Sequence, residues 1–279
     1  MHTLPTQSLQ VGGRSLEVVL IAIDDPSDPR LSDYVALHGR RTEQDSYFIV
    51  ETPVVIRRLL GSRFPVRSLL LLSSQAELLA DVLPSVAAPV YVVNQEVMNA
   101  TAGFNVHRGA LASADRLPLA DLDDVLSTAT RLLILEGGND HQNLGVISRS
   151  ARALGIDALL LDPTCADPFY RRSVRVSMGE LLYLPVVRCT AWPRALVQVR
   201  AAGFEVWALT PAADATDLRD LQRTALPAKI ALLAGAEGPG LSTPALTTAT
   251  RRVRIAMRHG VDSLNVGHAT AIALAAIAP

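Results

Sequence analysis

Three polar segments of this chain combine residue types that could form a reactive site. Asn139–Arg149 reads N-D-H-Q-N-L-G-V-I-S-R, Leu232–Ser242 reads L-L-A-G-A-E-G-P-G-L-S, and Arg254–Asn265 reads R-I-A-M-R-H-G-V-D-S-L-N. Each segment follows or completes a predicted strand. Ligands of parallel α/β sheets bind beyond the carboxyl ends of the strands. We therefore expect the three segments to line one site.

The first segment predicts a helix that begins beside a polar loop. We expect Asn143 to cap a helix over 144–154 through its side-chain oxygen, which leaves free backbone amides at the helix start. Arg149 lies off the apolar face of that helix. We expect its side chain to point toward the site at the carboxyl end of the preceding strand. A helix cap without a function and a solvent-exposed arginine would show the same sequence pattern, so this segment alone does not establish a site.

The second and third segments predict close approach of the backbone to a ligand. Three glycines and a proline fall within six residues around Glu237, and glycine allows such an approach. The loop is neither a P-loop nor a G-x-G-x-x-G dinucleotide fingerprint. In the third segment, Ser263 and Asn265 stand where a helix begins, so their side chains either cap that helix or face a ligand.

The elements that must position these segments alternate between strands and helices, which predicts an α/β fold. In the first part, Val66–Leu72 is a strand candidate and Pro53–Leu60 a helix opened by proline. The second part has strand candidates at 131–135, 158–161, 181–185, 205–209, 229–233 and 252–257. Helices between such strands imply a parallel sheet. We predict a smaller N-terminal α/β domain over 1–116, a linker over 117–129 and a second domain over 130–279.

Composition excludes several classes of protein. The 279 residues are 49% apolar and 19% charged, with a net charge of −1, so the chain can bury large cores but does not coat nucleic acid by charge alone. Its longest apolar runs fall far short of the ~20 residues of a membrane span, and we see no secretory signal. Cys165 and Cys189 are too few for a disulfide framework or a zinc site. We expect a cytoplasmic protein without a metal and without a membrane partner.

Together, in this order and spacing, the three segments resemble the SpoU (TrmH-type) family of SPOUT-class RNA ribose 2′-O-methyltransferases. The family pattern has an asparagine six residues before an arginine, a G-x-E-G-x-G loop and an I-P-M…S-L-N run before the final helix. Asp167–Gly179 and Phe48–Pro53 also look like the family. Ala256 replaces the usual proline, and His141 and Gly267-His268 are further departures, but none removes a side chain expected to do chemistry.

The resemblance implies methyl transfer from S-adenosylmethionine (SAM) to a ribose 2′-hydroxyl of structured RNA, with ribosomal RNA favoured over transfer RNA. It also implies a deep trefoil knot, an obligate homodimer with the site completed near the subunit interface, and a first domain similar to ribosomal RNA-binding proteins. The implied catalytic residues are Arg149, Asn143, Glu237, Ser263 and Asn265. Backbone groups implied to hold the cofactor belong to Leu209, Gly235, Ile255, Met257 and Leu264.

Arg149 is the residue expected at the 2′-hydroxyl, and two roles for it stay open. A guanidinium is a poor base at neutral pH. Either the site and a nearby RNA phosphate alter its protonation, or Arg149 stabilises the developing alkoxide while water takes the proton.

Arginine clusters are the candidates for contacts with RNA phosphates. They comprise Arg57, Arg58, Arg63, Arg67, Arg172 and Arg175, with Arg40 and Arg41 as an alternative in the first domain. Solvated arginines on helix faces would give the same pattern. Three other functions remain open: a transfer RNA 2′-O-methyltransferase, a non-catalytic RNA-binding or ribosome-assembly protein on the same scaffold, and an oxidoreductase, which the missing dinucleotide fingerprint disfavours.

Overall fold

The computed structural model describes residues 6–11, 14–37, 46–221 and 225–278, so Arg40 and Arg41 lie outside the described residues. The chain divides into two compact units. The first unit comprises Met1–Leu117 and Phe169–Leu182, and the second comprises Pro118–Pro168 and Tyr183–Pro279. In the parts of the chain that are described, no helix is long and apolar enough to cross a membrane.

The first unit is built on a mixed sheet. Its elements up to residue 117 are β1 (Thr6–Val11), β2 (Arg14–Ala22), β3 (Tyr47–Glu51), α1 (Pro53–Leu60), β4 (Val66–Leu72), α2 (Ser73–Leu78), β5 (Val90–Val93), α3 (Gln95–Ala102) and β6 (Ala110–Asp115). The strand order is β1-β2-β5-β4-β6-β3, with β2, β5 and β4 parallel. Leu69, Leu70 and Leu71 are all fully buried, as expected for a central strand covered on both faces.

The second unit is built on a sheet in which every pair of neighbouring strands is parallel. From residue 118 the elements are α4 (Leu122–Thr128), β7 (Arg131–Glu136), α5 (His141–Ala153), β8 (Ala158–Leu161), α6 (Arg171–Val176), β9 (Val186–Arg188), α7 (Arg194–Ala201), β10 (Glu205–Leu209), β11 (Thr216–Asp217), α8 (Leu218–Leu221), β12 (Ile230–Gly235), α9 (Thr243–Thr248), β13 (Arg251–Arg254) and α10 (Val266–Ile277). All of these belong to the second unit except α6. The strand order is β11-β13-β10-β12-β7-β8-β9. Because the strands are parallel, the loops after β7, β10, β12 and β13 leave the sheet at the same edge.

The segment Phe169–Leu182 differs from the expected domain division, because it belongs to the first unit. Its helix α6 packs against β3. The ring of Phe169 lies 5.3 Å from that of Phe48, centroid to centroid. The buried carboxylate of Glu51 accepts hydrogen bonds from Arg171 at 2.7 Å and from Arg175 at 3.1 Å. These contacts hold α6 on the first unit.

Two further expectations were wrong. Residues 117–129 are not a plain linker, because they contain α4, whose Val125 and Leu126 are buried in the core of the second unit. Residues 181–185 are not a strand: Glu180–Tyr183 forms a 3-10 helix, and β9 begins only at Val186.

Replacing Glu51 with glutamine is expected to destabilise the protein. The side chain of Glu51 is only 6% exposed and that of Arg171 only 17%, so the change leaves two guanidinium groups facing a neutral amide. We expect a loss of about 3 kcal/mol in the free energy of unfolding, the lower end of the range for a broken buried pair, measured by urea denaturation. Asp81→Asn is the matched control, because it removes an exposed pair with Arg57 and should change stability little. An unchanged midpoint in Glu51→Gln would contradict this account of α6.

Candidate functional site

The loops at the carboxyl edge of the second sheet enclose a cavity of ≈ 410 Å³. This volume lies in the range of small-molecule sites, roughly 300–1,000 Å³. The cavity is lined by all five residues predicted to hold the cofactor and by three of the predicted catalytic residues: Leu209, Gly235, Ile255, Met257 and Leu264, with Glu237, Ser263 and Asn265. The structure therefore brings the second and third sequence segments together.

A smaller cavity of ≈ 60 Å³ adjoins the first and connects it with the remaining sequence segment. Asn139, Asp140 and Asn143 line it, and both cavities share the lining residues Gly235, Ala236, Glu237 and Val266. All three segments therefore meet at one edge of the sheet.

The side chain of Asn265 joins the three segments by hydrogen bonds. Its Nδ2 donates to Asn143 Oδ1 at 3.0 Å and to Glu237 Oε1 at 2.7 Å. Its Oδ1 accepts from the amide of Gly267 at 2.9 Å, which makes Asn265 the N-cap of α10. Of the two possible caps in the third segment, Asn265 is thus the cap, while Ser263 faces the cavity.

The expected role of Asn143 as a helix cap was wrong. Helix α5 begins at His141, and its N-cap is Asp140, whose Oδ1 accepts from the amide of Asn143 at 2.7 Å. Asn143 lies inside the first turn, and its side-chain oxygen is therefore available to accept from Asn265. An aspartate three residues before an asparagine gives the same capping signal as the asparagine itself.

The glycine loop is closed tightly on itself. The amide of Gly240 donates to the carbonyl of Ala236 at 3.1 Å. A Cβ placed on Gly235 would lie 2.4 Å from the backbone carbon of Gly240. Gly238 and Gly240 have φ values of +87° and +68°, which side-chain-bearing residues rarely adopt. The sequence pattern had indicated close approach to a ligand, and here the loop backbone also approaches itself.

Sequence reasoning missed the support that Cys165 gives to the loop after β7. Its thiol donates to the carbonyl of Leu135 and accepts from the amide of Gly138, each at 3.3 Å. Burial raises the pKa of the Cys165 thiol to about 12, so it stays protonated at neutral pH and can serve as this donor. The D-P-T-C turn that ends β8 was its only sequence signal, with Asp162 Oδ1 accepting from the amide of Cys165 at 2.8 Å.

Arg149 is not brought into either cavity. It lies exposed on α5, and it is not among the described residues that line the two cavities. Six residues along a helix turn the side-chain direction by about 240°, so Arg149 and Asn143 face different sides of α5.

Most of the predicted RNA-contact arginines lie in ion pairs within the first unit. Arg57 pairs with Asp81, Arg58 with Glu180, Arg67 with Asp33 and Asp115, and Arg175 with Glu51. Arg63 and Arg172 are exposed and form no ion pair with a described residue, although the guanidinium of Arg63 lies 5.2 Å from the centre of the Phe64 ring. The described residues contain no cluster of three or more His, Cys, Asp or Glu side chains that could hold a metal ion.

The fold and the site define an α/β protein with a small-molecule cavity at the carboxyl edge of a parallel sheet. Residues 130–275 match the model of the SpoU rRNA Methylase family, and the chain belongs to that family. The resemblance found in the sequence is thereby confirmed, as is the α/β fold with a parallel sheet in the second unit.

Two relatives match most of the chain. An uncharacterised tRNA/rRNA methyltransferase of Mycobacterium tuberculosis is 42% identical over 254 residues, 89% of this chain and 88% of that protein. The 23S rRNA (guanosine-2′-O-)-methyltransferase RlmB of Pasteurella multocida is 30% identical over 190 residues, 66% of this chain and 76% of that protein.

Solved structures share the fold. The AdoMet-bound rRNA methyltransferase from Sinorhizobium meliloti superposes with a TM-score of 0.76 at 26% identity, over 92% of this chain and 97% of that one. The SpoU methyltransferase AviRb from Streptomyces viridochromogenes, in complex with AdoMet, has the same TM-score and identity over 89% of this chain and 97% of its own.

Replacing Gly235 with alanine is expected to abolish binding of SAM. The new Cβ would collide with the backbone of Gly240, so the loop must move, at a cost of about 1–3 kcal/mol in stability. Calorimetric titration with SAM measures the loss. Gly203→Ala is the control: Gly203 has a φ of +89°, so alanine strains the backbone there, but its Cβ would meet nothing within 4 Å and Gly203 does not line the cavity. SAM binding should therefore persist. Unimpaired binding in Gly235→Ala would show that the cavity is not the cofactor site.

Proposed function

We propose that the protein transfers the methyl group of SAM to a ribose 2′-hydroxyl of RNA, with ribosomal RNA as the favoured substrate. The observation that carries this proposal is the cavity lined by all five residues predicted to hold the cofactor, beside the bonded residues Asn143, Glu237 and Asn265. The names of RlmB and of the AdoMet-bound neighbours support both the reaction and the cofactor.

The lining of the cavity fits this cofactor. Leu209, Ile255 and Met257 offer apolar surface for an adenine ring. Gly235 and Gly240 allow close approach of backbone groups to a sugar. Bound SAM supplies an electrophilic methyl group on a sulfonium. The chain has to hold the acceptor oxygen in line with that methyl group and to let the hydroxyl proton leave.

The polar residues of the site have different proposed roles in methyl transfer. Glu237 Oε1 accepts from Asn265 Nδ2 and from the amide of Val266 at 3.2 Å. Its carboxylate is therefore fixed in place, and we assign it the positioning of the acceptor ribose together with Asn143 and Ser263. Arg149 is assigned to the 2′-oxygen, where its charge stabilises the developing alkoxide while water takes the proton.

Because Arg149 is exposed and does not line the cavity of its own chain, we propose that it acts in the cavity of a second copy. Val146 stands three residues before Arg149, so the two side chains are neighbours on the surface of α5. Val146 is 38% exposed, and Ile272 on α10 is 47% exposed. Helices α5 and α10 pack against each other, so these apolar side chains lie on adjoining helices. A homodimer that buries them would place Arg149 at the rim of the interface.

The remaining expectations from the family resemblance are proposed with it. Strand β12 lies between β7 and β10, while β13 lies beyond β10, an order in which the connecting loops can thread as a trefoil knot. The first unit is proposed as the RNA-binding module, similar to ribosomal RNA-binding proteins. An enzyme for ribosomal RNA is expected in the cytoplasm, and mapping 2′-O-methyl sites in RNA from cells with and without the gene separates ribosomal from transfer RNA as substrate.

Arg149→Ala is expected to abolish methyl transfer, because the alkoxide loses its counter-charge. The dissociation constant for SAM should change by less than about tenfold, or ~1.4 kcal/mol, since Arg149 is assigned to the acceptor oxygen and not to the cofactor. Single-turnover methylation and calorimetry measure the two effects. Arg152→Ala is the control, an exposed arginine on the same helix. More than a tenth of the wild-type rate in Arg149→Ala would exclude the assigned role.

The homodimer is expected to have a dissociation constant below the micromolar range and an interface on the order of 2,000 Å² or more. Sedimentation velocity should give twice the 29.8 kDa mass of the chain. Ile272→Glu should shift the protein to monomers and reduce activity. Val197→Glu, at a residue 57% exposed on α7, should leave the dimer intact. A wild-type monomer at micromolar concentration would refute the proposal.

Among the predicted RNA contacts, the arginines without a carboxylate partner should contribute most to phosphate binding. Each lost phosphate contact flattens the log–log salt dependence of RNA affinity by about 0.7 to 0.9, so we expect a clear change for Arg63→Ala with Arg172→Ala. The same change should be smaller for Arg57→Ala with Arg58→Ala, whose guanidinium groups already face Asp81 and Glu180. SAM affinity serves as the control and should stay unchanged. Unaltered slopes in both double variants would place the RNA contact elsewhere in the chain.

A further inference from the structure

Glu136 is a buried carboxylate that the sequence motifs leave without a role. It is the last residue of β7, is 8% exposed, and stands opposite Gly235 of β12 in the parallel register. Its Oε1 accepts from Trp192 Nε1 and from the hydroxyl of Ser242, each at 2.6 Å. Its Oε2 accepts from the amide of Ser242 at 2.8 Å. Both carboxylate oxygens are therefore in use.

These hydrogen bonds fix both ends of the glycine loop. The loop begins at Gly235, which the sheet aligns with Glu136, and it ends at Ser242, which the Glu136 side chain holds by two bonds. Ser242 is also the N-cap of α9, because its Oγ accepts from the amide of Ala245 at 3.3 Å. Glu237 lies between these ends and bonds Asn265, so we expect a shift of either loop end to strain that bond.

The three donors around Glu136 select for a carboxylate. An ionised carboxyl group only accepts hydrogen bonds, and it does so through two oxygens. A glutamine of the same shape would turn an NH₂ group toward at least one N–H or O–H donor. That donor would then lose its partner at a half-buried contact, which lowers stability. The loop end at Ser242 is the part of this arrangement that is free to move in response, because it is exposed.

We propose that Glu136 is a positioning residue for methyl transfer. Through Ser242 and Trp192 it holds the glycine loop in the conformation that closes the cofactor cavity and that keeps Glu237 on Asn265. Glu136 is not one of the described residues that line the cavity, so it acts through the loop rather than by contact with a ligand. The inference rests on the proposed function, because the loop matters through the reaction it serves.

The test compares Glu136→Gln with the wild type in the full-length protein. We expect the dissociation constant for SAM, measured by calorimetry, to rise about tenfold, which corresponds to ~1.4 kcal/mol. We also expect kcat at saturating SAM to fall about tenfold, because excess cofactor does not restore the bond between Glu237 and Asn265. A loss of folded protein alone would instead lower the apparent enzyme concentration and leave the SAM affinity of the folded fraction unchanged.

Glu205→Gln is the matched control, because Glu205 accepts a hydrogen bond from the second tryptophan. The two tryptophans of the chain are Trp192 and Trp207, and Trp207 Nε1 donates to Glu205 Oε2 at 2.9 Å. Glu205 begins β10, whereas the cavity residue Leu209 ends it. Glu205→Gln therefore changes the acceptor of an indole hydrogen bond from a carboxylate to an amide, as Glu136→Gln does, but at the end of β10 far from the cavity residue Leu209. It should leave SAM affinity and kcat within twofold of the wild type.

Fluorine NMR with 5-fluorotryptophan reports on the loop directly. Addition of SAM to the wild type should shift the resonance of Trp192, with that of Trp207 as the internal reference. In Glu136→Gln the Trp192 resonance should start from a different position, whereas Glu205→Gln should move only the Trp207 resonance. Trp192→Phe assigns the two signals.

The outcomes separate the hypotheses. SAM affinity and kcat within twofold of the wild type in folded Glu136→Gln would overturn the positioning role. If that variant does not fold, Ser242→Ala and Trp192→Phe decide, because each removes one donor and leaves the carboxylate in place. A twofold or greater loss of both affinity and kcat in either variant supports the proposal, and no loss in both overturns it. If the wild type binds no SAM in the same titration, the proposed function fails instead.

Discussion

The site depends on the amide of one side chain, that of Asn265. Its NH₂ group donates to residues 122 and 28 positions away along the chain, while its oxygen caps α10. An amide can do both at once because it carries two N–H donors and a carbonyl acceptor. A carboxylate could cap the helix but could not donate, and a serine hydroxyl could donate only once. Asn265 therefore turns three loops from distant parts of the sequence into one surface.

That amide can reach its partners only because the sheet has a particular order. Strands β7 and β12 are neighbours with Glu136 opposite Gly235, so the loop after β7 and the glycine loop leave the sheet side by side. The same register lets the Glu136 side chain reach Ser242 on the far end of the glycine loop. Cys165, in the turn after β8, fixes the first of these loops by its two thiol hydrogen bonds. Each loop thus has one hydrogen-bonded anchor outside the cavity and one residue facing it.

The sequence alone could predict much of this arrangement. The strand over Val66–Leu72 and the helix over Pro53–Leu60 match the structure residue for residue, because apolar runs and a first-turn proline are local signals. Half of the residues that line the cavity could be named through the family resemblance. Helix α6 could not be assigned to the first unit, because its partner Glu51 lies 120 residues from Arg171. Asn143 was misread as a cap, since Asp140 carries the same local signal, and Glu136 reads only as the polar end of a strand.

The arginines of the chain fall into two groups, those paired with carboxylates and those without such a partner among the described residues. Arg57, Arg67 and Arg171 are held by carboxylates, and such pairing fixes a side chain while it neutralises the charge that an RNA phosphate would meet. Arg149, by contrast, is exposed and forms no ion pair with a described residue. In the proposed reaction Arg149 stabilises charge that develops only in the transition state, and an unpaired guanidinium fits that role. Because the chain is nearly neutral, the position of an unpaired arginine matters more for the proposed reaction than the number of arginines. Helix α5 carries Asn143 on one side and Arg149 on another.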